Sequence, residues 1–204
     1  MLTDLERDTA IAALYSASST PRMVEVPEMT YLMIDGHGEP AGADYGDAVR
    51  TLYSLSFALR AAMTRAGGIR IAIAPLEGLR WSGDRAASAT ADTSSRQWTA
   101  MIRQPSGVTS DLWASIAEDA RDPQRVPALE RVRLDSLVEG RAGQILHVGP
   151  APAEAPTIRR LHAFLAGQGY HVDGLRQQHH EIHLGDPRRD APEHLRTIIR
   201  QPVA

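Results

Sequence analysis

The stretch Met101-Ile102-Arg103-Gln104-Pro105 returns near the other end of the chain as Ile198-Ile199-Arg200-Gln201-Pro202. A near match that closes two stretches with the same order of predicted elements implies two copies of one supersecondary unit, and this constrains the fold more than any other feature. In the first copy the pattern predicts a short apolar strand over Tyr31 to Asp35, a helix over about Tyr45 to Arg65, a strand over Ile69 to Ala74 and a last strand over Trp98 to Gln104. In the second copy the corresponding predictions are Gln144 to Val148, about Pro156 to Gln168, Gln178 to Leu184 and Leu195 to Gln201. The expected organisation is one domain over residues 1–204, with copies at about 26–106 and 143–204 and a bridge at about 107–142.

Few helices interspersed among many strands predict an α+β fold of duplicated β-α-β-β units with pseudo-two-fold symmetry. An antiparallel sheet with helices on one face would leave the other face for a ligand cleft. Leu2 to Ala17 is expected to be an amphipathic helix, and Pro21 and Pro27 favour extended chain after it. Gly67-Gly68 stops the first-copy helix, Ser82 to Ser95 reads as a polar loop, and Thr109 is placed to cap a helix carrying Leu112, Trp113 and Ile116. Pro156 suits the first turn of the second-copy helix, where no intrahelical donor is lost.

At 204 residues, with 43 % hydrophobic and 23 % charged residues, the chain can bury a substantial core and has neither a disordered nor a membrane composition. No apolar run approaches the roughly 20 residues that span a bilayer, and the acidic start Met1 to Asp8 does not read as a secretory signal, so a cytoplasmic location is expected. With no cysteine, disulfides, thiolate nucleophiles and cysteine-ligated zinc are excluded. A net charge of −3 without a long Lys/Arg run argues against direct nucleic-acid binding. About 25 residues before the first strand are too few for a helix-turn-helix domain and linker.

The segment with most chemical content is Gln178-His179-His180-Glu181-Ile182-His183-Leu184-Gly185-Asp186-Pro187. Strand alternation puts His179, Glu181 and His183 on one face and His180, Ile182 and Leu184 on the other, so one face can pack and the other can do chemistry. Exposed acids are the usual case, and a solvent-facing Glu181 is the competing reading. Three nearby histidines raise the question of zinc. His180 points away from the other two, however, and His180-Glu181-Ile182-His183 is one residue short of the HExxH spacing, so no metal is expected. No Ser-His-Asp order, phosphate loop or dinucleotide fingerprint stands out.

Several short motifs in order, namely Val26-Pro27-Glu28-Met29, Leu32-Met33-Ile34-Asp35-Gly36, Pro75-Leu76-Glu77-Gly78-Leu79, Ile102-Arg103-Gln104-Pro105, His179-His180-Glu181-Ile182 and Asp186-Pro187-Arg188-Arg189, resemble the GyrI-like small-molecule-binding family over nearly the whole chain. The resemblance is to the stand-alone branch that includes cyclopropanoid hydrolases, which open the cyclopropane of DNA-alkylating natural products of the yatakemycin and CC-1065 type. It implies paired β-α-β-β units with a ligand cleft, and an enzyme of detoxification or self-resistance working without metal or organic cofactor as a monomer or weak homodimer. The other class left open is a drug-binding or sequestering protein that uses the same cleft without turnover. Gly149-Pro150-Ala151 and Glu181-Ile182-His183 stand where relatives commonly carry Gly-Pro-Tyr and Glu-Ile-Tyr, so any role of those tyrosines is lost or moved.

Under that resemblance Glu181 is the general base and Glu154 a second carboxylate that orients the water, while His147 and His183 both stand as donors to a dienone oxygen. Glu154 also has a purely structural reading, at the positive end of the following helix. A flat ligand, a genotoxic aromatic alkylator, needs apolar walls, and the substrate-binding candidates are Trp81, Trp98, Trp113, Tyr45, Tyr53 and Phe57, with His147, His179 and His183. The helical settings of Tyr53, Phe57 and Trp113 suit burial, whereas Trp81 and Trp98 flank the polar loop and are expected at the cleft.

Overall fold

Tyr31, Leu32, Met33 and Ile34 are consecutive and all buried, so this strand is covered on both faces. In the computed structural model, which describes residues 10–39, 42–67, 72–82, 96–120, 122–171 and 179–203, it lies in an antiparallel sheet. In chain order the strands are β1 (Arg22–Val26), β2 (Met29–His37), β3 (Leu76–Ser82), β4 (Arg96–Arg103), β5 (Arg133–Leu137), β6 (Gly140–Val148), β7 (His179–His183) and β8 (Arg196–Pro202). The helices are α1 (Ala43–Gly67), α2 (Ser110–Asp119) and α3 (Ala155–Gly167), and residues 10–14 are also helical. Among the described residues no helix is long and apolar enough to cross a membrane.

The chain divides into two compact units, a middle unit from Met29–Leu137 and an end unit from Met1–Glu28 with Val138–Ala204. The middle unit runs β2-α1-β3-β4 and the end unit β6-α3-β7-β8, so the duplicated β-α-β-β order is present in both. Each unit also takes one edge strand from the stretch leading into the other copy. The hydrogen-bonded order is β5-β2-β4-β3 in the middle unit and β1-β6-β8-β7 in the end unit, all antiparallel. Pro27 and Glu28 alone separate β1 from β2, yet β1 pairs with β6, while β5 pairs with β2 rather than with the adjoining β6.

In the middle unit Ala48, Leu52, Leu55 and Leu59 form one stripe of α1 and pack on Leu32, Ile34, Trp98, Ala100 and Ile102 of β2 and β4. Gln104, from the duplicated motif, ties sheet to helix by donating from Nε2 to Ser56 Oγ at 3.0 Å. Thr109 caps α2 as expected, its Oγ1 accepting from the Leu112 N–H at 3.2 Å. In the end unit Leu161 and Leu165 of α3 pack on Ile145 and Ile199. Gly143 permits that approach, since a Cβ there would lie 2.7 Å from Leu165 Cδ2.

Three sequence expectations need correction or completion. The strand predicted over Ile69 to Ala74 is not at that place: residues 69–71 fall outside the described part, residues 72–75 are not strand, and β3 begins at Leu76 opposite Ile102. Pro75 has no N–H to give a ladder, which agrees with pairing that starts after it. The extended lead-in at Arg22–Val26 and the bridge at Arg133–Leu137 are true strands, whose partners are remote in sequence. Residues 2–9 of the expected first helix, and residues 83–95 of the polar loop, lie outside the described residues.

Candidate functional site

The register of β7 and β8 fixes which face carries the chemistry. Glu181 stands opposite Ile199 and His183 opposite Thr197, and β6 continues these rows with Ile145 and His147. Directly opposite residues of antiparallel strands share a face. Ile145 and Ile199 are the residues under α3, so Glu181 lies on the face that the helix covers. It is 2 % exposed, which discards the solvent-facing reading.

The chain returns over this face through Pro150 and a 3-10 turn, Ala151–Ala153, that ends at Glu154. The Glu154 carbonyl accepts from the Ile158 N–H at 3.0 Å, whereas its side chain makes no capping hydrogen bond. The carboxylate is turned instead towards β7 and is 5 % exposed. One donor atom each from Glu154, His179 and Glu181 lie within 4.8 Å of one another. His179 Nε2 stands 3.6 Å from Glu181 Oε1, and His183 Nε2 stands 3.8 Å from Oε2. Two imidazoles therefore bracket one buried carboxylate while a second carboxylate faces it.

His147 occupies the next row and is engaged at both ring nitrogens. Nε2–H donates to the Pro150 carbonyl at 3.4 Å, and Nδ1 accepts from the Thr157 hydroxyl at 3.0 Å. Both partners belong to the turn and helix start that carry Glu154. The side chain is 5 % exposed, so His147 braces the Glu154 turn.

The reverse face of β7 carries a polar core that sequence reading missed. His180 Nδ1–H donates to Glu139 Oε1 and Arg200 Nη1 donates to Glu139 Oε2, both at 2.8 Å. Arg200 also donates to Gln144 Oε1 and, from Nη2, to the Leu14 carbonyl at 3.0 Å. Burial pushes the Glu139 carboxyl up, but the charges and hydrogen bonds of His180 and Arg200 outweigh it and hold the group at about 2. The duplicated Ile-Arg-Gln-Pro was visible in the sequence, but nothing in it paired Arg200 with Glu139.

The aromatic candidates separate in the structure. Trp98 packs in the core: it is 2 % exposed, meets the Tyr45 ring edge-on at 5.0 Å, and lies against Gly36, which leaves room for its indole. Tyr53 and Trp113 are partly buried against the same core, in keeping with their helical settings. Phe57, expected to pack, is 48 % exposed, with the Arg60 guanidinium 5.1 Å above its ring. The backbone of Trp81 pairs opposite Gln97, and its side chain lies outside the described part. A hollow of about 240 Å³ in the middle unit is lined by Asp44, Asp47, Pro127, Ala128, Glu130 and Arg131, none of them aromatic.

The family profile of the GyrI-like small molecule binding domain matches residues 19–204. The chain belongs to the GyrI-like family. No curated protein matches it. This GyrI-like chain is similar to the crystal structure of a hydrolase from Listeria innocua at 33 % identity and a TM-score of 0.81, covering 97 % of this chain and 98 % of that one. An uncharacterized conserved protein from Listeria innocua is similar at 34 % identity, with a TM-score of 0.82 and the same coverage. The EcmrR C-terminal domain, at 12 % identity and a TM-score of 0.52 over 91 % of this chain and 97 % of its own, shares the GyrI-like fold.

Proposed function

We propose that this protein is a hydrolase that adds water across the cyclopropane of DNA-alkylating cyclopropanoids of the yatakemycin and CC-1065 type, protecting the cell that makes or meets them. The observation that carries the reading is the facing pair of buried carboxylates, Glu154 and Glu181, with an imidazole beside them. Similarity over 97 % of the chain to a Listeria protein described as a hydrolase supports it.

A cyclopropane fused in spiro fashion to a dienone is already disposed to open, because the product ring is aromatic. The protein has to align one water and take its proton. Glu154 orients the water and Glu181 removes a proton as the water oxygen bonds to the ring CH2. The breaking C–C bond sends its electrons into the dienone, and the resulting phenolate is protonated, so the product is the substrate plus one water. With both His147 nitrogens engaged in bracing the Glu154 turn, His183 is assigned as the donor to the dienone oxygen. A side chain 26 % exposed can meet a ligand.

The test is to incubate substoichiometric protein with a spirocyclopropane alkylator and follow products by mass spectrometry, with Glu181→Gln and Glu154→Gln alongside. Many turnovers to a ring-opened, water-added product by the native chain, lost in Glu181→Gln while ligand binding persists, is the expected result. Unchanged alkylator recovered from a stoichiometric complex would replace the hydrolase with a binding protein, the role that the family description by itself describes.

A further inference from the structure

Sequence reading set zinc aside because His180 points away from its neighbours, and His180 is indeed committed to Glu139 on the reverse face. The fold supplies a donor that no strand pattern reveals, since Glu154 arrives from the turn before α3. We propose that Glu154, His179 and Glu181 bind a first-row divalent transition ion, Zn2+ above all, and that the ion inhibits the protein by occupying the carboxylate assigned as the base.

The donor set decides the kind of ion. Two carboxylates with an imidazole nitrogen form a borderline N/O set that zinc accepts, whereas Mg2+ and Ca2+ prefer all-oxygen surroundings. In a tetrahedral zinc site with bonds of about 2.0–2.2 Å, neighbouring donors stand roughly 3.3–3.6 Å apart. His179 Nε2 and Glu181 Oε1, at 3.6 Å, already span such an edge. All three donors fall within 4.8 Å, so rotation of one carboxylate closes the set.

Electrostatics favour occupancy as well. Glu154 and Glu181 are 5 % and 2 % exposed, and two carboxylates this close would repel strongly if both were ionised where water is scarce. A dication between them replaces that repulsion with attraction. The ion has an approach from the histidine side, where the His179 and His183 side chains are 20 % and 26 % exposed. His183, 3.8 Å from the second Glu181 oxygen, stands ready as a further ligand. Once bound, the ion holds the Glu181 lone pair that would take the proton from water. The binding half of this inference is independent of the substrate, and the inhibition half rests on Glu181 being the base.

The full chain, freed of metal by dialysis against a chelator, is titrated with ZnCl2 and separately with MgCl2 by calorimetry, beside Glu154→Gln, Glu181→Gln and His179→Asn. Circular dichroism of each variant verifies folding. The expected result is one Zn2+ per chain, no saturable Mg2+ binding, and affinity lowered about tenfold or more by each substitution, the scale of a 1.4 kcal/mol loss. No saturable Zn2+ binding, or equal binding by the native chain and all variants that fold, overturns the site. Turnover is then followed with stoichiometric Zn2+ and with excess chelator. Zn2+ bound at these residues with turnover undiminished overturns the inhibition. Zn2+ binding that obeys the variants in a protein with no turnover under any condition upholds the site and removes the hydrolase reading instead.

Discussion

Replacing Glu139 by glutamine is the sharpest test of how the strand behind the site is held. The carboxylate accepts from His180 and from Arg200, each at 2.8 Å, and the three side chains are between 0 % and 3 % exposed. Its pKa falls from an ordinary 4.5 to about 2. A folded-state value below the unfolded one means that the group stabilises the fold above the unfolded value and loses that contribution as pH falls through the folded one. The depression corresponds to about 3 kcal/mol, which agrees with the order of 3–5 kcal/mol lost when one partner of a buried ion pair is removed. Urea unfolding of the native chain and Glu139→Gln should therefore differ by about 3 kcal/mol at pH 7, and by less than about half of that at pH 3, because the native carboxyl is by then largely protonated in the unfolded chain. A difference under about 1 kcal/mol at pH 7, or one that is the same at pH 7 and pH 3, refutes the reasoning.

Smaller perturbations probe the packing. Gly36→Ala places a Cβ 2.2 Å from the Trp98 ring, which is wedged against Tyr45, and should cost about 1–3 kcal/mol in urea unfolding together with a change in tryptophan emission. Thr109→Ala removes the oxygen that accepts from Leu112 N–H and should lower stability by about 1 kcal/mol, read as a shift in midpoint without a change in slope. Phe57→Ser should stay within about 1 kcal/mol of the native chain by thermal melting, since the ring is half in solvent and gives up its contacts with Arg60 and with the Tyr53 ring.

What could be read from the sequence follows the range of the interactions involved. The helices and most strands of the duplicated units were legible because their signals are local: apolar residues at mostly helical spacing in Val49, Leu52, Tyr53, Leu59 and Met63, and alternation through His179–His183. The two edge strands were not, because Arg22–Val26 and Arg133–Leu137 are short and are defined by partners far along the chain. The same limit hid the polar core, in which Glu139 meets His180 and Arg200 across 41 and 61 residues. The burial of Trp98 was hidden for a further reason. Its neighbours in sequence are polar, but Gly36, which faces it across the sheet, removes the side chain that would have kept the indole out.

The exchange of edge strands also sets a timetable for synthesis. The middle unit is continuous, so β2 to β5 can pair as soon as Leu137 has emerged. The end unit cannot do the same, because β1 is made first and its partner β6 begins only at Gly140. Domains fold as units in the order in which their parts are made. The first strand therefore has to stay uncommitted while the middle unit forms, and the sheet behind Glu181 closes only when β8 is complete at Pro202. A nascent chain interrupted between Leu137 and that point carries a finished middle unit and no closed sheet behind the pair of carboxylates, so the site is completed only with the last strand.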